Sequence, residues 1–170
     1  MKKLPLLALL LTFSLGTAQV QKNAELGVGA MGIVVSDIDA SETFYKDLLG
    51  LTPIGGFSLD EQWSQEAGAA NNLPFSVKQF KLQDTPGGTI IKLAYFEKTK
   101  KQAKPKGINK KSGVNYITLY YTSDAFYKAI ERLKKADIEL AGWVKREYYQ
   151  IVFVQDPDGI YVELVAPPEQ

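Results

Sequence analysis

The sequence contains neither cysteine nor histidine. Without cysteine no disulfide can staple the fold, so packing alone must hold it. Without histidine, Ser-His-Asp and Cys-His nucleophile sites and zinc-type sites are excluded, and the side chain best suited to proton transfer near neutrality is missing. Neither sign of charge is in excess, with 20 Lys and Arg against 19 Asp and Glu. No global field therefore draws nucleic acid to this chain. The longest apolar run, Leu4 to Leu15, falls short of the ~20 residues that a spanning helix needs.

That short run belongs to a different pattern. MKKLPLLALLLTFSLGTAQ places Lys2 and Lys3 before the apolar stretch and small residues Gly16 and Ala18 at the −3 and −1 positions of a cleavage site. It reads as a signal peptide over residues 1–18, giving a mature chain from Gln19 that is exported to the periplasm or beyond. Residues 19–27 carry no periodic pattern and read as a flexible N-terminus. The rest is enough for one compact domain.

Gly27, Gly29 and Gly32 have the G-x-G-x-x-G spacing of a dinucleotide-binding loop. That loop needs a strand before it and a helix opening within it. Here the glycines run into Ile33, Val34 and Val35, a β-branched strand, and the helix starts only after Asp37. The nucleotide reading is rejected.

Farther on, Glu97 to Ser112 holds seven lysines without apolar periodicity. It reads as a solvated linker, residues 98–112, dividing the chain into two similar halves. Module one, residues 28–97, runs strand AMGIVVSD, helix ASETFYKDLLG, then strands TPIGGFS, FSVKQFKLQ and GTIIKLAYF. Module two, residues 113–166, runs strand VNYITLYY, helix SDAFYKAIERLKKAD, then strands IELAGWV, YQIVFVQ and IYVELVA. FYKDLL and FYKAIERL align in the helices, and a DPDG turn joins the last two strands. Each half is β-α-β-β-β and too small to close its own core, so the halves must pair.

With these elements, VVSDIDASETFYKDLLGL and QDPDGIYVELV, the chain resembles the vicinal oxygen chelate superfamily, which includes glyoxalase I, bleomycin-resistance proteins and extradiol dioxygenases. The resemblance spans residues 28–166 as a single domain. It implies an α+β fold of two paired βαβββ modules, a cup-shaped mixed sheet with helices outside, and a small-molecule site in the cup. Strand alternation independently sorts the residues. The larger sets, Met31/Ile33/Val35, Ile91/Leu93/Tyr95, Tyr116/Thr118/Tyr120 and Ile160/Val162/Leu164, are expected beneath the helices. Ala30/Gly32/Val34, Ile90/Lys92/Ala94, Asn115/Ile117/Leu119 and Tyr161/Glu163/Val165 are expected to line the cup.

Metal-dependent members of that superfamily carry ligands on the first and last strands of each module. Carried onto this chain, those positions fall on Ala30, Lys92, Asn115 and Glu163, leaving one carboxylate. No metal and no cofactor is therefore expected. The resemblance instead implies that Lys92 stands where the metal charge was and pairs with Glu163, aided by Asn115. Trp63, in DEQWSQEAGAANNLP, marks a stretch able to fold over the cup, while Trp143, Tyr148 and Tyr149 flank a second connection.

The expected function is binding of an unidentified small molecule, with Lys92, Asn115, Glu163, Ile117, Leu119 and Tyr161 as its contacts. The alternative is a lyase or isomerase acting next to a carbonyl, with Glu163 as base and Lys92 stabilising an oxyanion. A third reading has the cup filled by its own side chains or by a second subunit, since the paired-module fold admits a homodimer.

Overall fold

The structure, a computed structural model, describes residues 28–110 and 112–169. The expected signal peptide, its cleavage after Ala18, the segment 19–27 and Gly27 lie outside the described residues. Module one comprises β1 (Ala30–Val35), α1 (Ile38–Glu42, continued by a π-helical segment Thr43–Leu48), β2 (Thr52–Leu59), α2 (Glu61–Ala67), β3 (Phe75–Lys81) and β4 (Ile90–Tyr95). Module two comprises β5 (Tyr116–Tyr120), α3 (Ser123–Lys135), β6 (Gly142–Lys145), β7 (Gln150–Gln155) and β8 (Tyr161–Ala166). Each module forms a four-stranded mixed sheet, β1-β4-β3-β2 and β5-β8-β7-β6, whose first and last strands run parallel. Together they make the cup with helices outside.

The third glycine of the G-x-G-x-x-G spacing, Gly32, sits inside β1 beside Lys92 of β4. A strand therefore occupies the place where a phosphate loop would need its helix. The helix begins at Asp37, whose side chain accepts from the amides of Asp39 and Ala40. Its second half widens into a π-helix, with the Leu49 amide bonded to the Phe44 carbonyl, and past its end the Leu51 amide bonds back to the Tyr45 carbonyl. An i→i+5 repeat keeps Phe44 and Leu49 on one face, and both are buried. In α3, Thr122 caps the N-terminus, Arg132, Lys134 and Lys135 crowd the last turn, and Phe126, Ala129, Ile130 and Leu133 are buried.

One hydrophobic cluster runs through both modules, from Ile33, Val35 and Leu93 to Ile117, Leu119, Val162 and Leu164. The expected faces hold for β1, β4 and β8. They fail for β5, where Ile117 and Leu119 are 3% and 6% exposed while Tyr116 and Tyr120 are 44% and 73% exposed. In VNYITLYY both faces are apolar, so side-chain size misleads; the aliphatic pair fills the core and the tyrosines, with polar hydroxyls, face outward.

Polar contacts tie the modules across their seam. The Tyr45 hydroxyl donates to Asp156 Oδ2 at 3.0 Å, the Ser36 amide donates to Asp158 Oδ2 at 3.0 Å, and the Ser36 hydroxyl donates to Asp158 Oδ1. From the other side, the Tyr121 hydroxyl and Arg132 Nε donate to the carbonyls of Leu49 and Leu48, each at 2.9 Å. Burial, then the neighbouring Asp156 charge, pushes the Tyr45 pKa well above its ordinary value, which keeps that hydroxyl a donor.

The lysine-rich linker has no helix or strand among its described residues, but it is not simply solvated. Gln155 Nε2 donates to the Pro105 carbonyl at 2.8 Å, and the Gly107 amide donates to the Tyr161 hydroxyl at 2.9 Å. Residues 104–107 form a strap against module two, and its backbone polarity is satisfied by side chains that alternation alone could not assign to it.

Candidate functional site

On the concave side of module two, β8 lies between β5 and β7, so Glu163 has Thr118 on one side and Phe153 on the other. The Thr118 hydroxyl donates to Glu163 Oε2 at 2.6 Å, fixing one carboxylate oxygen. Aromatic rings surround this pair. Tyr116 meets Phe153 edge-on with centroids 6.2 Å apart, and Phe153 meets Tyr161 at 6.4 Å. Beyond Phe153 opens a cavity of about 250 Å³ lined by Ile108, Val144, Ile151, Phe153 and Tyr161, with the strap as one wall. A wider opening of about 640 Å³ lies between Lys104 and Lys106 of the strap and Asp137 and Glu139.

The expected site residues do not all meet there. Glu163 and Tyr161 do. Ile117 and Leu119 belong to the core. Asn115 precedes β5, where its Nδ2 donates to the Gly113 carbonyl at 2.9 Å. Register shows why it is misplaced. Ala30 lies two residues before Gly32, the partner of Lys92; the matching position in module two lies two residues before Thr118, the partner of Glu163, and is Tyr116.

Lys92 lies between Gly32 and Gln79 in the first sheet. The ion pairs among the described residues are Lys46–Asp47, Lys78 with Asp39 and Glu42, and Lys128–Asp124. Lys92 and Glu163 therefore do not form the expected pair. They occupy equivalent positions of two sheets that share no strand pairing, and equivalence by repeat does not bring side chains into contact. A double-mutant cycle of Lys92→Met and Glu163→Gln, followed by chemical denaturation, is expected to be additive within ~0.5 kcal/mol. Coupling beyond that range would restore the pair.

Thr118, Phe153, Ile151 and Val144 escape the sequence reading. Thr118 left a signal, being the one hydroxyl residue without a ring in YITLY, and so a marker of the face away from the core. Phe153 left none, because YQIVFVQ is apolar on both faces. Of the other aromatics, Trp63 is half-exposed at 6.0 Å from the Phe75 ring. Trp143 packs against Phe126 and Tyr127 with Lys134 and Lys145 over its ring. Tyr148 and Tyr149 are exposed.

Comparison with known proteins follows the architecture. The family model described as "Glyoxalase/Bleomycin resistance protein/Dioxygenase superfamily" matches residues 27–164. No curated protein matches the chain. Among solved structures, a glyoxalase family protein from Bacillus cereus is 20% identical, with a TM-score of 0.68 over 88% of this chain and 99% of that one. A glyoxylase/bleomycin resistance protein/dioxygenase domain from Frankia sp. is also 20% identical, with a TM-score of 0.62 over 85% of this chain and 93% of the other. A fosfomycin resistance protein mutant from Listeria monocytogenes, in complex with Mn(II) and 1S,2S-dihydroxypropylphosphonic acid, is 17% identical, with a TM-score of 0.53 over 81% of this chain and 90% of its own.

Proposed function

Because the chain belongs to the glyoxalase/bleomycin resistance protein/dioxygenase superfamily, we propose that it is an exported, metal-independent member that holds a small molecule in its cup. The observation that carries this reading is the single carboxylate of Glu163, oriented by Thr118 beside the aromatic cavity of about 250 Å³. An apolar cavity whose lining residue Phe153 is paired in register with a fixed carboxylate suits recognition of a small molecule. Tyr161 lines it, Glu163 orients the ligand, and Lys92 offers a cation on the first sheet's half of the cup.

The residues do not fit a divalent metal. The four corresponding strand positions hold Ala30, Lys92, Tyr116 and Glu163, and a lone carboxylate cannot compete with water for such an ion. Among the described residues no three His, Cys, Asp or Glu side chains come together to hold one.

Native mass spectrometry of protein recovered from outside the cytoplasm tests the reading. The expected species begins at Gln19, carries the added mass of a small organic molecule and holds no stoichiometric transition metal. One transition metal per chain, surviving dialysis, would end the metal-independent reading, and an intact Met1 on that protein would end the export reading.

A further inference from the structure

The two modules repeat one another, but their seams are not closed alike. In module two the β7–β8 hairpin, residues 156–160, reaches module one through Asp156 and Asp158, which bind Tyr45 and Ser36. The equivalent hairpin of module one, residues 82–89 between β3 and β4, spends its hydrogen bonds on itself. The Thr85 amide bonds to the Gln83 carbonyl, the Gly88 amide to the Thr85 carbonyl, and Lys81 Nζ to the Thr85 carbonyl. Among the described residues it makes no hydrogen bond to module two. Where the second latch would be, a cavity of about 280 Å³ opens between this hairpin and β5.

We propose that this seam cavity is a second ligand site, separate from the cavity beyond Phe153, for a neutral, largely apolar, single-ring molecule bearing one hydroxyl or carbonyl group. Its apolar wall is Met31, Leu82, Ile91, Ile117 and Leu119, and at the edge of β5 it is bordered also by Thr118 and Tyr120. At the hairpin rim stand Gln83 and Thr89, whose side chains have no hydrogen bond to another described residue. No charged side chain lines the cavity, so a carboxylate or ammonium would enter without a partner and pay its desolvation in full. A hydroxyl or carbonyl can use the Gln83 amide or the Thr89 hydroxyl at the mouth while the ring covers the aliphatic wall. The volume lies at the lower end of the range for small-molecule pockets, which limits the occupant to about one ring.

The sequence supplies its own reporter. Met31 and Met1 are the chain's two methionines, so methyl-¹³C-methionine labelling of the full chain gives at most two methyl signals, assigned with Met31→Leu. Titration with 4-ethylphenol is expected to shift the Met31 methyl saturably. Gln83→Trp and Thr89→Trp, at exposed rim positions where folding is insensitive to size, are expected to weaken that binding tenfold or more. Benzoate, of similar size but charged, is expected to leave the signal unmoved. No saturable shift up to the solubility of 4-ethylphenol would overturn the proposal, as would equal titrations in the rim variants or an equal response to benzoate. The cup reading stands or falls separately, since neither Met31 nor the two rim residues lines the cavity beyond Phe153.

Discussion

Replacing Asp156 by alanine is expected to cost roughly 3–5 kcal/mol of folding stability. The side chain is fully buried and accepts from the Tyr45 hydroxyl and from the amides of Asp158 and Ile160. Alanine leaves all three donors without their acceptor, and each buried orphan costs about 1–3 kcal/mol before relaxation. Tyr45→Phe removes one donor and keeps the ring, so it is expected to cost only about 1–2 kcal/mol. Burial dominates the shift at Asp156 and raises its pKa above the ordinary 3.8, outweighing the hydrogen bonds that pull it down. The sign follows from linkage. A carboxyl whose folded pKa is raised favours folding when protonated, so its contribution is full below the ordinary carboxylate range and is lost as pH rises through the folded pKa. Urea denaturation across acid to neutral pH should therefore show a declining contribution in the wild type. In Asp156→Asn that slope should be absent; an unchanged slope would assign it to other groups.

Gly159→Ala is expected to loosen the strap as well as the turn. Gly159 has φ +91°, and an added Cβ would lie 2.8 Å from Pro105 Cδ and 3.1 Å from Lys104 Cα. The backbone conformation alone costs a residue with a side chain ~1–3 kcal/mol. The contact adds displacement of the segment that Gln155 and Tyr161 hold. A strap whose opening is easier by about 1.4 kcal/mol is open about ten times as often. Lys106 is exposed within it, so limited digestion with trypsin should cut after Lys106 about tenfold faster or more in the variant, under conditions where cleavage follows the open population. Equal rates would show that the strap does not depend on this approach.

The architecture was legible because two independent signals agreed. Period-two alternation marked strands, and the FYK segments marked equivalent helices, so the paired βαβββ modules followed from pattern alone. The site was less legible for reasons visible in particular residues. In β5 and β7 both faces are apolar, and a one-residue change of register exchanges the faces. That exchange sends Ile117 and Leu119 into the core and brings Tyr116 and Thr118 to Glu163. Lys92 and Glu163 were matched by their places in the repeat, but repeat symmetry gives equivalence and says nothing of distance. The strap was hidden for another cause: lysine-rich composition reports side chains that favour water, whereas Pro105 and Gly107 are held through their backbone.

The end of the π-helical segment has a consequence for the order in which the chain is made. A helix leaves its last carbonyls without partners of its own. Here those of Leu48 and Leu49 receive their donors from Arg132 and Tyr121, 84 and 72 residues farther along. During synthesis the first module therefore emerges before the donors to its helix end and must wait for β5 and α3 of the second before that end is closed within the protein. The repeat looks like two domains on paper, but it matures as one cooperative unit whose first half is finished by its second.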